Sequence, residues 1–282
     1  MSNKADSAVI AAAQSDVAIV CVGNHPLSYG LGWGQNYVPS DGREDVDRQA
    51  ISLEQEDLVK LVYKANPNTV MVIVSSFPYS IPWSKENIPA VLHVSQSSQE
   101  LGNGLADIIF GKESPSGRLV QTWVSSIEAL PPILDYNIRH GRTYMYDKSV
   151  PLFPFGYGLT YTSFSYSDLK TDAKTISKDG TVNVSFRIRN TGNFDSDEVP
   201  QLYVSFPGSK VERAAKALKG FARVMVRKGE EKLVTIPVKA SDLTYWDTES
   251  EKWVLEPGKI DFFVGSSSSD IKLKGSLLVE SR

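Results

Sequence analysis

The hydrophobic period of this chain changes once, and that change constrains its fold more than any other feature. In the first half, DVAIVCVG (16–23) and TVMVIVSS (69–76) are short continuous β-branched runs, the pattern of parallel strands covered on both faces, and IPAVLHVS (88–95) reads as a third strand. From about residue 166 the period is two. In TVNVSFRIRN, Val182, Val184, Phe186 and Ile188 fall on one face, with Asn183, Ser185, Arg187 and Arg189 on the other. Similar runs at 199–206, 232–238, 259–265 and 271–279 are separated by turn signals such as NTGN, RKGEE and EPGK. The pattern predicts an α/β module, with an open and mostly parallel sheet flanked by helices, followed by an all-β sandwich of immunoglobulin-like size. With 282 residues and 41% hydrophobic content, each module can bury a core. The halves share no internal repeat.

Between the first two strands, Leu58, Leu61, Val62 and Ala65 recur at helical spacing, Ser52 and Gln55 in SLEQ read as a capping box, and Asn66-Pro67 stops the run. Ser97 and Glu100 repeat the capping pattern before Leu101, Leu105, Ile108 and Ile109, with Gly111 as the C-terminal cap. Residues 112–165 are rich in Pro, Gly and aromatics, which predicts an ordered segment packed against something rather than a free linker. The domains read as 1–125 for the α/β module, 126–165 for the connecting segment and 166–282 for the sandwich.

Composition excludes several partners. Thirty basic against thirty-three acidic residues, with no Lys/Arg run able to follow a phosphate backbone, argue against nucleic acid and against an anionic membrane surface. No apolar stretch approaches the ~20 residues of a membrane span, and MSNKADSAVIAAAQSD lacks the basic and apolar regions of a signal peptide. Cys21, the single cysteine, excludes an intramolecular disulfide and reads as a small buried hydrophobe in a strand. His25, His93 and His140 have no second ligand at metal-binding spacing, so neither a metal nor another cofactor is expected. Ser75, Ser76 and the serine-rich 95–98 stretch lack the G-x-S-x-G context of a nucleophile elbow, and GYG and GNG lack the spacing of a phosphate loop.

Chemistry concentrates in residues 23–48, GNHPLSYGLGWGQNYVPSDGREDVDR, a long connection leaving the C-terminal end of a parallel strand, where open α/β sheets place their ligands. Tyr29, Trp33 and Tyr37 offer flat faces that stack on sugar rings or other planar ligands, or else pin the loop to its own domain. Asn24 and His25 follow the strand directly. They read either as contacts to a ligand hydroxyl or as a loop-capping Asn and an incidental His. Six of the eight residues from Asp41 to Arg48 are charged, and spacing alone makes Glu44 one more solvated carboxylate.

The stretch GREDVDRQAISLEQEDLV resembles the segment of glycoside hydrolase family 3 enzymes in which an acidic residue stands three before an Asp-Arg pair. QELGNGLADIIFG and SPSGRLVQTW, then GRTYMY and PLFPFGYGLTYTSF, follow in that family's order. EVPQLYV, KALKGFARV, GEEKLV, LTYWD and WVLEPGKIDFFVGSSSSDI resemble the fibronectin type III-like domain that closes many family 3 β-glucosidases and β-xylosidases. The resemblance covers nearly the whole chain from residue 8 onward. It implies a family 3 α/β sandwich domain followed by a fibronectin III-like sandwich. It also implies that Glu44 is the general acid/base of a retaining exo-β-glycosidase acting on β-linked glucosides or xylosides, while Asn24, His25, Trp33 and Tyr37 stand as candidate substrate contacts on their position and chemistry alone. In such enzymes the nucleophilic Asp stands on a (β/α)8-type barrel, which this chain does not contain. The expected partner is therefore a family 3 barrel domain, or further copies of the chain, with little hydrolysis by the chain alone. A non-catalytic carbohydrate-binding or adaptor protein and a structural scaffold are the alternatives. Trp246 and Trp253, flanking a turn, read as core or hairpin residues rather than as ligand contacts. Family habit implies a periplasmic or secreted location.

Overall fold

The computed structural model describes residues 2–24, 50–95 and 99–280. Among these, contacts divide the chain into two units that interleave in sequence. The first takes the residues up to Asn103 together with Trp123–Leu130 and Ser149–Leu152, and the second takes Gly104–Thr122, Pro131–Lys148 and the chain from Phe153.

The first unit contains α1 (Ser2–Ala13), β1 (Ala18–Gly23), α2 (Glu56–Ala65), β2 (Thr69–Val74), α3 (Pro82–Asn87), β3 (Ala90–Val94) and the start of α4 (Leu101–Ile109). The strands lie in the order β1-β2-β3 and are parallel, with Ala18 opposite Thr69 and Val70 opposite Ala90. A helix joins each strand to the next, as parallel pairing requires. In β2, Met71, Val72 and Ile73 are all fully buried, so the continuous apolar run is covered on both faces. β1 corrects the expectation made for it. Ala18, Val20 and Val22 are buried on the face that packs toward α2, while Ile19 is 45% exposed and Cys21 is exposed. β1 is one of the two edge strands of the described sheet, and among the described residues its apolar run is covered on one face only.

The capping box of α2 does not form either. The N-cap is Gln55, in helical conformation and without a side-chain cap bond, while Ser52 makes a parallel bridge with Ser80. The carboxamide of Gln55 is engaged elsewhere, accepting a hydrogen bond from the Gly23 amide at 2.7 Å. An amide at the end of a strand needs a partner, and a side chain that supplies one is lost to the helix cap. Val59 and Val62 are the buried residues of α2, whereas Leu61 is 44% exposed. Asn66 ends the helix in extended conformation, and its side-chain amide donates to the carbonyls of Ala12 (3.1 Å) and Ser15 (2.7 Å), fastening the end of α1. α4 ends before Gly111 at φ 71°, the left-handed position expected of a glycine cap. Ser97 lies outside the described residues, and Glu100 accepts from the Asn103 side chain at 2.7 Å.

The second unit carries the rest of α4, the single turn α5 (Thr143–Tyr146), and the strands β4 (Phe164–Thr171), β5 (Thr175–Ile176), β6 (Thr181–Asn190), β7 (Ser196–Glu198), β8 (Gln201–Ser205), β9 (Ala217–Phe221), β10 (Val224–Val226), β11 (Glu231–Lys239), β12 (Tyr245–Asp247), β13 (Lys252–Val254), β14 (Gly258–Gly265) and β15 (Ile271–Val279). One sheet runs β11-β6-β4 and the other β5-β15-β14-β8-β9. Their inner faces make one core, in which Val184, Phe186 and Ile188 of β6 meet Leu202, Val204, Ile236 and Val264. β8 is buried from Gln201 to Val204 without alternation, because a second layer covers its outer side. The Tyr144 ring stacks on Phe155 at 4.5 Å and meets Tyr203 edge-on at 5.7 Å. Gln201 donates to the carbonyls of Gly156 (3.0 Å) and Ser266 (2.7 Å). Close by, Arg118 and Glu198 form an ion pair at 3.2 Å, their side chains 8% and 4% exposed, and the Tyr166 hydroxyl donates to the second Glu198 oxygen at 2.7 Å. Burial, reinforced by the Glu198 charge, pushes the Tyr166 pKa up. The chain is thus a parallel α/β sheet with helices followed by an all-β sandwich. Trp246 and Trp253 face each other across the β12–β13 hairpin at the surface, so of the two readings given above the hairpin one holds and the core one does not.

Candidate functional site

The C-terminal edge of the parallel sheet is built by the residues where its three strands end. Gly23 closes β1 at φ 143°, and a Cβ there would sit 1.9 Å from the Val74 carbonyl oxygen, so the close approach of β1 to β2 at this edge requires glycine. The Asn24 amide donates to that same carbonyl at 3.0 Å and carries the ladder one residue past the strand. At the end of β2, Ser75 is fully buried. Its amide donates to Val94 at 3.1 Å and its hydroxyl to the Phe77 carbonyl at 2.9 Å.

His93, next to last in β3, brings Nε2 to 3.1 Å from the Ser75 hydroxyl oxygen and 3.3 Å from the Ser75 carbonyl. The carbonyl can only accept and the hydroxyl proton is directed at Phe77, so the network assigns the hydrogen to Nε2. Burial lowers the His93 pKa below its usual 6.5, with the hydrogen bond to the Ser75 backbone opposing. Trp123, 2% exposed, packs edge-on against the imidazole at 5.0 Å. A Ser–His contact can mark a nucleophile and its base, but this serine is enclosed and its proton is already committed. The pair braces the strand ends, and this edge is a polar rim on a rigid sheet. Among the described residues no three His, Cys, Asp or Glu side chains gather into a metal-sized group, and no helix is long and apolar enough to cross a membrane.

Of the residues singled out from sequence, Asn24 stands at this edge, partly buried. Glu44, His25, Trp33 and Tyr37, together with Tyr29, lie outside the described residues. Sequence reading did not anticipate Gln55 as the partner of the Gly23 amide, nor the Ser75–His93 pair. For the pair a signal existed: both residues close apolar runs of adjacent parallel strands, which places them on one sheet edge.

Fold and edge together define a parallel α/β module with an appended β-sandwich. The family model for the Glycosyl hydrolase family 3 C-terminal domain matches residues 2–161, and that for the Fibronectin type III-like domain matches residues 198–268. The chain belongs to glycosyl hydrolase family 3. It is 35% identical to Thermostable beta-glucosidase B of Acetivibrio thermocellus, over 96% of this chain and 36% of that protein. To a Beta-xylosidase of Formosa agariphila it is 32% identical, over 95% of this chain and 36% of that protein. The crystal structure of Beta-D-glucoside glucohydrolase from Trichoderma reesei superposes with a TM-score of 0.83 at 30% identity, covering 98% of this chain and 42% of that one. The chain thus spans roughly a third of the length of the curated relatives it matches.

Proposed function

We propose that this chain is the acid/base-bearing portion of a retaining exo-β-glycosidase that hydrolyses β-glucosides or β-xylosides. The observation that carries the reading is the family match over residues 2–161, a span that contains GREDVDR and therefore Glu44. In a retaining mechanism, Glu44 in its protonated form gives its proton to the glycosidic oxygen as the bond to the anomeric carbon breaks. A carboxylate on the barrel partner captures that carbon. Glu44, now ionised, takes a proton from the water that releases the sugar. This double role asks for a carboxyl pKa raised toward neutrality by burial or by the nucleophile's charge. Trp33 and Tyr37 stack on the sugar ring, and Asn24 and His25 meet its hydroxyls. The Gly23, Ser75 and His93 contacts, partly buried at the strand ends, support the reading by giving the segment that carries Glu44 a braced point of departure.

The test combines the purified chain with a family 3 barrel domain and follows nitrophenol release from aryl β-D-glucoside and β-D-xyloside. Hydrolysis is expected from the pair and not from the chain alone, with Glu44→Ala lowering kcat by roughly 10²–10⁴-fold. A dinitrophenyl glycoside, whose leaving group needs less protonation, should lose less in the glycosylation step. No gain from the barrel, or full activity in the variant, would sink the proposal and leave a non-catalytic role.

A further inference from the structure

The hairpin of β12 and β13 is fastened on one face and open on the other. On the fastened face the Tyr245 ring lies 5.2 Å from the Arg213 guanidinium carbon, which itself sits 3.6 Å from the Phe206 ring centre. Arg213 also donates from Nη2 to the Leu243 carbonyl at 2.9 Å. On the opposite face, Trp246 and Trp253 stand directly across from each other, their rings 5.7 Å apart at 73°. A cross-strand aromatic pair helps hold a hairpin. Yet Trp246 is 49% and Trp253 66% exposed, so much of the indole surface faces water. The turn between them, Asp247–Lys252, is polar at every position, and the Asp247 carboxylate accepts from the Ser250 amide at 3.0 Å and from its hydroxyl, which sets the shape of the rim.

The size of this patch selects its occupant. The two indoles leave about 300 Å² in water, taking a full indole side chain as ~250 Å². A stable protein partner needs about 800 Å² on each side and an apolar centre larger than two side chains ringed by charge. A pyranose ring fits. In β-linked glucose and xylose the ring substituents are equatorial, so the C–H faces are flat and apolar while the hydroxyls project around the edge, toward groups such as Asp247 and Lys252.

We propose that Trp246 and Trp253 form a surface binding platform for β-linked oligosaccharide chains, carried on the sandwich and used to hold polymer. The choice of saccharide rests on the glycosidase reading above, but the test is independent of hydrolysis. The indole Nε1–H signals of the ¹⁵N-labelled 282-residue chain are followed during titration with cellopentaose, and with α-linked maltopentaose as control. The Trp246 and Trp253 signals should shift saturably, with a Kd of roughly 0.1–1 mM, and respond far less to maltopentaose. Trp253→Ala should weaken binding at least roughly tenfold. Trp253→Tyr, which keeps a ring opposite Trp246, should stay within a few-fold of the unaltered chain and guards against a hairpin that simply opens. The proposal is overturned by no saturable shift of either signal up to roughly 10 mM cellopentaose, by equal response to the α-linked sugar, or by unchanged affinity in Trp253→Ala. Shifts without Glu44-dependent hydrolysis would remove the catalytic reading alone, and hydrolysis without shifts would remove the platform alone.

Discussion

A partly buried imidazole whose charged form is disfavoured ties stability to pH with a definite sign. Folded His93 resists protonation because its surroundings penalise the charge, whereas in the unfolded chain it titrates near 6.5. Below that value the unfolded state binds more protons than the folded one. The contribution of His93 is therefore present above pH 6.5 and is lost as pH falls from 6.5 toward the lower folded pKa. Comparing urea midpoints of the unaltered chain and His93→Gln between about pH 5 and 7.5 should show the unaltered chain losing relative stability on the acid side. Parallel midpoints would contradict the assignment. At this scale the sequence was only partly legible. Glu44 stood out through its neighbours, but the partnership of Gln55 with the Gly23 amide crosses thirty-two residues of chain and follows no local spacing rule.

Among the elements, β7 and the connecting stretch around Arg118 share one internal charge pair. Arg118 reaches Glu198 at 3.2 Å with both side chains nearly inaccessible, while Tyr166 donates to the other carboxylate oxygen. Removing one member strands the other charge in a medium that solvates it poorly. Arg118→Met should accordingly cost about 3–5 kcal/mol in denaturant unfolding of the sandwich unit, and adding Glu198→Leu should recover part of that loss. Equal or additive losses in the double variant would show that the pair interacts little. The strands themselves were read well, since a period of two survives any tertiary context that leaves one face wet. β8 departs from alternation because Tyr144, itself stacked on Phe155, packs against Tyr203, and no pattern within the strand announces a layer supplied from a distant part of the chain. β1 departs in the other direction, with an apolar run that is half exposed among the described residues.

For the molecule as a whole, the notable surface is the loop after Leu130. Ile133, Leu134 and Tyr136 are 84%, 81% and 83% exposed. Their loop is not loose: Arg142 donates from Nε to the Asp135 carbonyl at 2.6 Å and from Nη2 to the Pro132 carbonyl at 2.7 Å, and His140 meets the Asp135 carboxylate at 2.7 Å. Polar bonds thus hold apolar side chains out in water, a costly arrangement unless something covers them. In isolation the chain should self-associate at moderate concentration, and the double substitution Ile133→Ser with Leu134→Ser should reduce that association in sedimentation velocity. A single-chain mass at every concentration, before substitution, would contradict this.

Sequence by itself determined the two-module order, the positions of β1, β2, β3, β6, β8, β11, β14 and β15, the helix stop at Asn66-Pro67 and the glycine end of α4, because each follows from periodicity or from backbone constraints on one or two residues. Motif order identified the family for the same reason, since ordered motifs persist independently of their surroundings. Tertiary structure alone decided that Cys21 faces solvent, that Gln55 serves β1 instead of its own helix, that Ser75 and His93 meet, and that residues 104–122 belong with the sandwich unit. Those outcomes depend on which distant surface arrives to cover a side chain, and burial of that kind is a property of the assembled layers that no local pattern encodes.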